Sequence, residues 1–263
     1  MVGPAVPPPL ERGIDHRKLG VEHIVDDALT GLAAAQIEAP FIQLEVALAQ
    51  MDGLLESTRV GTAVGVLVHP VGRADHHDFV AGLEVDAIQH AKNLASPQAG
   101  LTFLAAGAEA IPFPDASFDL AMMLKSLHHV PLDLMDQALE EVARVLRPGG
   151  FYYSSEPVYG GALNDIVKIY NEEGEVRAAA QQAIDRVLAR GRLFEEVAQR
   201  RFAQPVSYRD FEEFANKMLY KTYADHHITP ELLSRVRAAF EPHCGPGGAR
   251  LDRLMHVRLL RRR

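Results

Sequence analysis

The sequence predicts an α/β fold: a doubly wound, mainly parallel sheet with helical additions in the C-terminal part. Short apolar segments at residues 79–84, 101–105 and 120–124 have the length of buried strands, and helix-like segments separate them. Strands that alternate with helices of this length favour right-handed crossovers, which make the strands parallel and cover both faces of the sheet. In such a sheet, ligands bind beyond the carboxyl ends of the strands.

The helices next to these strands have recognisable ends. Residues 87–95 read as one helix, and a second begins after Asp133, a residue type that caps helices well. Apolar residues of the second helix recur at three- and four-residue steps and give it one apolar face. Pro148 cannot continue this helix, and the two glycines that follow permit a sharp reversal into a strand at 151–155.

The rest of the chain is assigned from composition and spacing. The predicted elements are helices at 21–36 and 41–56, a strand at 60–68, several helices within 162–240 (clearest at 208–219 and 230–240) and a final strand at 255–260. Residues 1–20 are proline-rich and read as a disordered leader.

Composition excludes several functional classes. The chain has 263 residues, of which 48% are apolar, and its net charge of −8 argues against binding to a nucleic-acid backbone. Cys244 is the only cysteine, so neither an intrachain disulfide nor a thiolate metal cluster is expected, which fits the cytoplasm. No segment reaches the roughly 18 apolar residues needed to cross a membrane, so no membrane partner is expected either. The sequence does not indicate an oligomeric state.

Residues 107–156 carry the most specific pattern. A loop leads into Phe118-Asp119 and an apolar strand, which ends in the cluster KSLHH at 125–129. An amphipathic helix, the motif RPGG at 147–150 and an aromatic strand ending at Glu156 follow. In order and spacing these parts resemble the second half of the class I S-adenosylmethionine-dependent methyltransferase domain, in the type 11-like branch that acts mostly on small molecules. The resemblance is clear for residues 79–156.

The resemblance implies a Rossmann-like fold, S-adenosylmethionine as cofactor and a small molecule as methyl acceptor. Residues 21–160 then form the cofactor-binding α/β core, with residues 1–78 atypical. Residues 161–263 form a helical segment that covers the substrate, plus the final strand.

Cofactor-binding residues follow by position in the family pattern. Glu84, at the tip of its strand, matches the acid that binds the adenosine ribose, with Asp86 as the competing candidate. The loop Gly107-Ala108-Glu109 matches the adenine-binding loop. Glu109 either contributes to adenine binding or points back into the loop as a structural acid. Lys125 either neutralises the cofactor carboxylate or is a solvated cation.

Catalytic residues are expected at the next two strand ends. His128 matches a position that orients the acceptor or takes its proton, and the alternative is a histidine that holds the loop. Glu156 could bind the acceptor, or it could be an acid that fixes the loop. No metal site is expected, because residues 69–78 match no zinc spacing.

The family's glycine-rich first motif is not recognisable. Residues 59–70 read RVGTAVGVLVHP, so Gly61 and Gly65, the candidates for this part of the cofactor site, stand in a GxxxG pattern without a preceding acid. Either the domain is degenerate, or residues up to about 78 come from a shifted reading frame or an altered gene start. The leading hypothesis is methyl transfer to a small molecule. Its alternative is a non-catalytic methyltransferase-like binding or interaction protein, and a nicotinamide dehydrogenase is a distant third.

Overall fold

A computed structural model describes residues 80–95, 101–221 and 226–263. The leader predicted at 1–20, the helices predicted at 21–36 and 41–56 and the strand predicted at 60–68 lie outside the described residues.

The first described unit is a parallel strand pair with its crossover helix. Strand β1 (Val80–Leu83) pairs in parallel with β2 (Leu101–Leu104), in the register Val80 to Leu101. Helix α1 (Ala87–Leu94) lies between them in sequence. It begins at Asp86, whose Oδ1 accepts the N–H of Ile88 at 2.9 Å. This cap satisfies a backbone donor that would otherwise lack a partner in the first turn.

A second parallel pair follows. Strand β3 (Phe118–Leu124) runs into a short 3₁₀ turn and then helix α2 (Met135–Val145), and β4 (Leu146–Pro157) returns parallel to β3. Six of the seven residues of β3 are buried in an unbroken run, so both of its faces are covered. Continuous burial of this kind is typical of an inner strand of a parallel sheet.

The C-terminal part extends this sheet and adds helices to it. The remaining elements are α3 (Gly161–Val167), α4 (Gly174–Arg190), β5 (Phe194–Tyr208), α5 (Phe211–Met218), α6 (Pro230–Phe240), β6 (Cys244–Gly245) and β7 (Gly248–Arg262). The strand order is β3-β4-β7-β5, with β6 beside β7. Strand β7 is antiparallel to its neighbours, so β3, β4 and β5 all run in one direction. The predicted fold class, a doubly wound and mainly parallel sheet, is confirmed.

Two apolar cores hold these layers together. Helices α2 and α4 pack on the sheet through residues that include Ala121, Tyr152, Leu139, Val142 and Ile184. The second core joins α3, α5 and α6 to the end of β5 and the start of β7, and it contains a cluster of aromatic rings. In it, the rings of Phe214 and Phe240 lie 4.7 Å apart, and the guanidinium of Arg237 lies 4.1 Å from the centre of the Phe211 ring.

Two predicted boundaries around α2 are wrong. Asp133 is not the N-cap: Leu134 occupies that position and makes no capping bond with its side chain. The reason is a preceding turn, in which the N–H of Leu134 donates to the carbonyl of Pro131 at 2.9 Å. The RPGG segment is not a reversal between helix and strand, because β4 already begins at Leu146. Gly149, with φ of 83°, lies instead in a bulge where the pairing of β3 with β4 shifts register.

The expectation of helices alone over 162–240 is also wrong. Helices α5 and α6 lie within the two predicted ranges, but the strand β5 was not predicted. Its interior mixes charged and polar residues with scattered apolar ones, and none between its two ends is fully buried. Strand β7 is longer than the predicted segment 255–260, because it continues along the whole of β5.

Candidate active site

Three predicted site positions lie at the carboxyl ends of the described parallel strands. Glu84 directly follows β1, and its N–H donates to the carbonyl of Leu104 at the end of β2, at 2.9 Å. Lys125 directly follows β3, and its N–H donates to the carbonyl of Ser155 in β4, at 2.7 Å. Glu156 is the next residue of β4. Each parallel pair therefore brings two of the predicted polar segments side by side.

Glu84 is a buried acid with an unused oxygen. Its side chain is 1% exposed, and Oε1 accepts the N–H of Asp86 at 2.9 Å. Oε2 is buried and has no hydrogen-bond partner within the described part of the chain. Burial raises the pKa of Glu84 to about 7. The competing candidate, Asp86, uses Oδ1 to cap α1.

The predicted adenine loop is closely packed. The side chain of Ala108 is fully buried in the core. A Cβ atom placed on Gly107 would lie 2.1 Å from Oε1 of Glu109, so the carboxylate of Glu109 folds back over Gly107. The carbonyl of Glu109 accepts Nε2 of Gln137 at 2.8 Å. The carboxylate thus has the geometry of the second alternative, an acid that points back into the loop.

A charged pair on α2 fixes the rest of this loop. Glu141 accepts the N–H of Ile111 at 3.0 Å, and Nη2 of Arg144 donates to the carbonyl of Ile111 at 2.9 Å. Arg144 also donates to the carbonyl of Phe113 and to Asp115, both at 2.8 Å. Hydrogen bonds to Glu141 and Asp115 raise the pKa of Arg144 above its usual value. Neither residue was a candidate in the sequence analysis.

The histidine cluster after β3 is organised by Glu156. Glu156 is 0% exposed, and its Oε1 accepts the N–H groups of Ser126 at 3.1 Å and Leu127 at 2.8 Å. Its Oε2 is in hydrogen-bond contact with Nδ1 of His128, which is itself buried. The chain reaches this turn through Lys125 in the left-handed region, with φ of 57°. Glu156 therefore fixes the loop and orients the His128 ring, leaving Nε2 of His128 as the atom that can act on a ligand.

Sequence analysis missed two further charged residues of this site. Glu173, at the N-cap of α4, brings its carboxylate to His128 and His129, and Arg177 pairs with it one helical turn later. Burial and the neighbouring His128 lower the pKa of His129 to about 4. Burial alone would raise the pKa of Glu173, but Arg177 and the two histidines together outweigh it, and the pKa lies below its usual range. The four-residue spacing of Glu173 and Arg177 was a signal for their pairing, though not for their place in the site.

Three predicted positions remain to be placed. Lys125 is partly exposed at its strand end. Gly61 and Gly65 lie outside the described residues, so their assignment to the cofactor site stays a prediction.

Residues 59–154 match the family model described as "Methyltransferase domain". This segment is therefore similar to the methyltransferase-domain family, in agreement with the resemblance found in the sequence. The match begins at residue 59, ahead of residues 79–156, for which the resemblance is clear from the sequence.

Curated relatives match over short segments. A segment of 63 residues is 46% identical to the fatty-acid O-methyltransferase of Mycolicibacterium smegmatis and covers 23% of this chain and 22% of that protein. A segment of 85 residues is 45% identical to the probable phthiotriol/phenolphthiotriol dimycocerosates methyltransferase 2 of Mycobacterium ulcerans and covers 32% of this chain and 30% of that protein. The chain thus spans less than a third of the length of either relative.

Solved structures overlap over a longer range at low identity. The YcgJ protein of Bacillus subtilis has a TM-score of 0.49 at 15% identity, covering 70% of this chain and 82% of that one. A S-adenosylmethionine-dependent methyltransferase of Methanosarcina mazei has a TM-score of 0.41 at 16% identity, covering 69% and 80%. Within residues 80–95, 101–221 and 226–263, no helix has the length and apolar content that a membrane crossing requires.

Proposed function

We propose that this protein transfers a methyl group from S-adenosylmethionine to an oxygen, nitrogen or carbon nucleophile of a small molecule. The observation that carries the proposal is Glu84, a buried acid at the end of β1 whose Oε2 has no partner among the described residues. A buried carboxylate oxygen without a donor is costly, and a ribose diol supplies the donors that such an oxygen lacks. Because Glu84 lies inside the segment that matches the methyltransferase family, the diol of S-adenosylmethionine is the ligand that fits.

The remaining cofactor contacts are assigned by position. In this proposal the backbone of the loop at Gly107 and Ala108 lies along the adenine, and Lys125 lies near the carboxylate of the cofactor's methionine part. S-adenosylmethionine would supply an electrophilic methyl group on a sulfonium centre. The residues of the chain would bind it, align the acceptor with it and exclude water.

The proposed reaction is a direct in-line displacement. A lone pair or carbanion of the acceptor forms the new bond to the methyl carbon while the carbon–sulfur bond breaks, and that electron pair stays on sulfur. A hydroxyl or amine acceptor releases a proton, and Nε2 of His128 is the proposed recipient, with Glu156 stabilising the positive ring through Nδ1. Alignment contributes more to such a reaction than acid–base chemistry does.

The names of the relatives do not point to a single type of acceptor atom. They describe a fatty-acid O-methyltransferase and a ubiquinone/menaquinone C-methyltransferase, so both oxygen and carbon acceptors occur among proteins similar to this chain. We propose a small-molecule acceptor and leave its reacting atom unspecified.

Calorimetric titration of the full chain with S-adenosylmethionine and with its demethylated product tests the proposal. The missing glycine-rich turn predicts a dissociation constant above about 100 μM for the natural chain, which is weak for a working enzyme. Glu84→Gln should raise it a further 10- to 100-fold, because a hydrogen bond to a charged group contributes about 1.5–3 kcal/mol.

Asp86→Asn is the matched control. Asparagine caps helices as well as aspartate does, so this variant should fold and bind like the natural chain. Binding that is unchanged by Glu84→Gln removes Glu84 from the site. No binding of either compound at millimolar concentration supports the non-catalytic alternative instead.

A further inference from the structure

Three metal-ligating groups converge at the end of β3. One ligand atom each from His128, His129 and Glu173 lies within 4.8 Å of the other two. The two histidines are consecutive in the 3₁₀ turn, with ring centres 4.1 Å apart, whereas Glu173 comes from the start of α4. We infer that these three side chains form a binding site for a divalent transition-metal ion, with zinc as the ion that fits best.

The donor set selects the class of ion. Two imidazole nitrogens and one carboxylate oxygen are the protein ligands of many zinc sites, and they suit other first-row transition metals too. Magnesium and calcium prefer oxygen ligands throughout. Around a tetrahedral zinc ion with bonds of about 2.1 Å, ligand atoms are about 3.4 Å apart. The three atoms, which lie within 4.8 Å of one another, must therefore close by at most about 1.4 Å, which side-chain rotations can supply.

The surroundings hold each ligand in the manner of a metal site. Oε2 of Glu156 contacts Nδ1 of His128, so Nε2 is the ring atom that can bind an ion. A histidine that binds a metal through one ring nitrogen commonly donates the other ring N–H to a carboxylate in this way. Glu173 is held by Asn171, whose Nδ2 donates to Oε1 at 2.8 Å, and by Arg177, which contacts Oε2. Both oxygens of Glu173 keep a further lone pair, since a carboxylate has about four acceptor sites.

The local charge also favours a cation. The cluster holds two carboxylates, Glu156 and Glu173, and one guanidinium, that of Arg177, so it is net negative when both imidazoles are neutral. A metal ion on Nε2 of His128 occupies the lone pair that a general base would use. The ion-bound and ion-free forms are therefore different states of the same site, and the inference does not depend on methyl transfer.

Cobalt(II) is the probe for this site, because a protein-bound cobalt ion has visible absorption bands that depend on its ligands. The full chain is treated with a chelator, freed of it and titrated with Co²⁺. We expect ligand-dependent absorption with a dissociation constant below about 10 μM. Zn²⁺ should displace Co²⁺ at stoichiometric concentration, whereas a large excess of Mg²⁺ should not.

Conservative variants locate the ion. His129→Asn and Glu173→Gln should each weaken Co²⁺ binding by at least about 10-fold, the effect that even outer partners of a metal have. The controls are Glu172→Gln, which changes the adjacent exposed acid, and His243→Asn, which changes an exposed histidine in another turn. Both controls should bind like the natural chain, and thermal melting checks that all four variants fold.

Two results would overturn the inference. One is the absence of Co²⁺ absorption from the natural chain at millimolar metal. The other is binding that His129→Asn and Glu173→Gln leave unchanged, since the ion would then lie elsewhere in the chain.

Discussion

At the scale of single residues, the ionisation of Glu84 links burial to ligand binding. Burial raises its pKa to about 7, so near neutral pH the carboxyl group is divided between its two forms. A ribose diol donates hydrogen bonds and binds the ionised form more strongly. We therefore expect the dissociation constant of S-adenosylmethionine to fall as pH rises from about 5.5 to about 7 and then to level off. Calorimetry across this range measures it.

The raised pKa of Glu84 also affects the folding stability, which it makes decrease as the pH rises. Below the ordinary carboxyl pKa, 4.5, Glu84 is protonated in the folded and unfolded chain alike. As pH rises towards about 7, the unfolded chain loses its proton first, so the contribution of Glu84 to stability decreases through this window. Glu84→Gln should remove both pH dependences. A pH-dependent dissociation constant that survives in this variant would assign the effect to another group.

Glu156 illustrates how much one buried acid can organise. Glu156→Ala leaves the N–H groups of Ser126 and Leu127 and the ring of His128 without their acceptor. We expect the free energy of unfolding to fall by about 2–4 kcal/mol, because unsatisfied buried donors cost about 1–3 kcal/mol each and partial relaxation recovers some of it. Urea unfolding measures this change.

An exposed acid provides the comparison. Glu140→Ala, on the outer side of α2, should change the free energy of unfolding by no more than about 0.5 kcal/mol. Equal effects of the two substitutions would show that Glu156 does not hold the turn.

At the scale of elements, the start of β7 depends on one glycine. Gly248 has φ of 95°, and a Cβ atom there would lie 2.3 Å from the carbonyl oxygen of Tyr208 and 2.9 Å from that of Arg209. Gly248→Ala should therefore lower the free energy of unfolding by about 3 kcal/mol, combining left-handed strain with overpacking against backbone.

Gly191, at the end of α4, separates these two causes. It has φ of 65°, but an added Cβ would meet nothing within 4 Å. Gly191→Ala should thus cost only about 1 kcal/mol, the cost of the backbone conformation alone. Thermal or urea unfolding of both variants tests the difference, and a Gly248→Ala protein as stable as Gly191→Ala would contradict it.

The elements that sequence analysis predicted well are those with strong local signals. Helix α6 has the predicted range 230–240, because Thr229 caps it and Pro230 stands at its first position. Strand β3 was found from its unbroken apolar run. Strand β5 has neither a helix-type cap nor an unbroken apolar run, because many of its side chains are polar. Its hydrogen bonds are made to β7, so it is identified only by its pairing with that strand.

At the scale of the whole molecule, the parallel arrangement explains which part of the site could be predicted. Glu84 follows β1, and Lys125 and Glu156 lie at the ends of β3 and β4; within each parallel pair the carboxyl ends of the two strands lie side by side. Glu173 and Arg177 could not be placed in this way. They stand in a charged segment that reads as solvated surface, and only the packing of α4 near the 3₁₀ turn brings them to the histidines.

The polar and charged side chains of β5 also affect the self-association of this protein. Among the described strands, β5 pairs only with β7 and forms an edge of the sheet. An open edge is a template on which a foreign strand can add, and repeated addition leads to aggregation. Pro205 offers no N–H to such a strand, and exposed Arg200 and Arg201 repel a second identical edge. The same composition that makes β5 hard to predict from the sequence therefore also opposes aggregation through this edge.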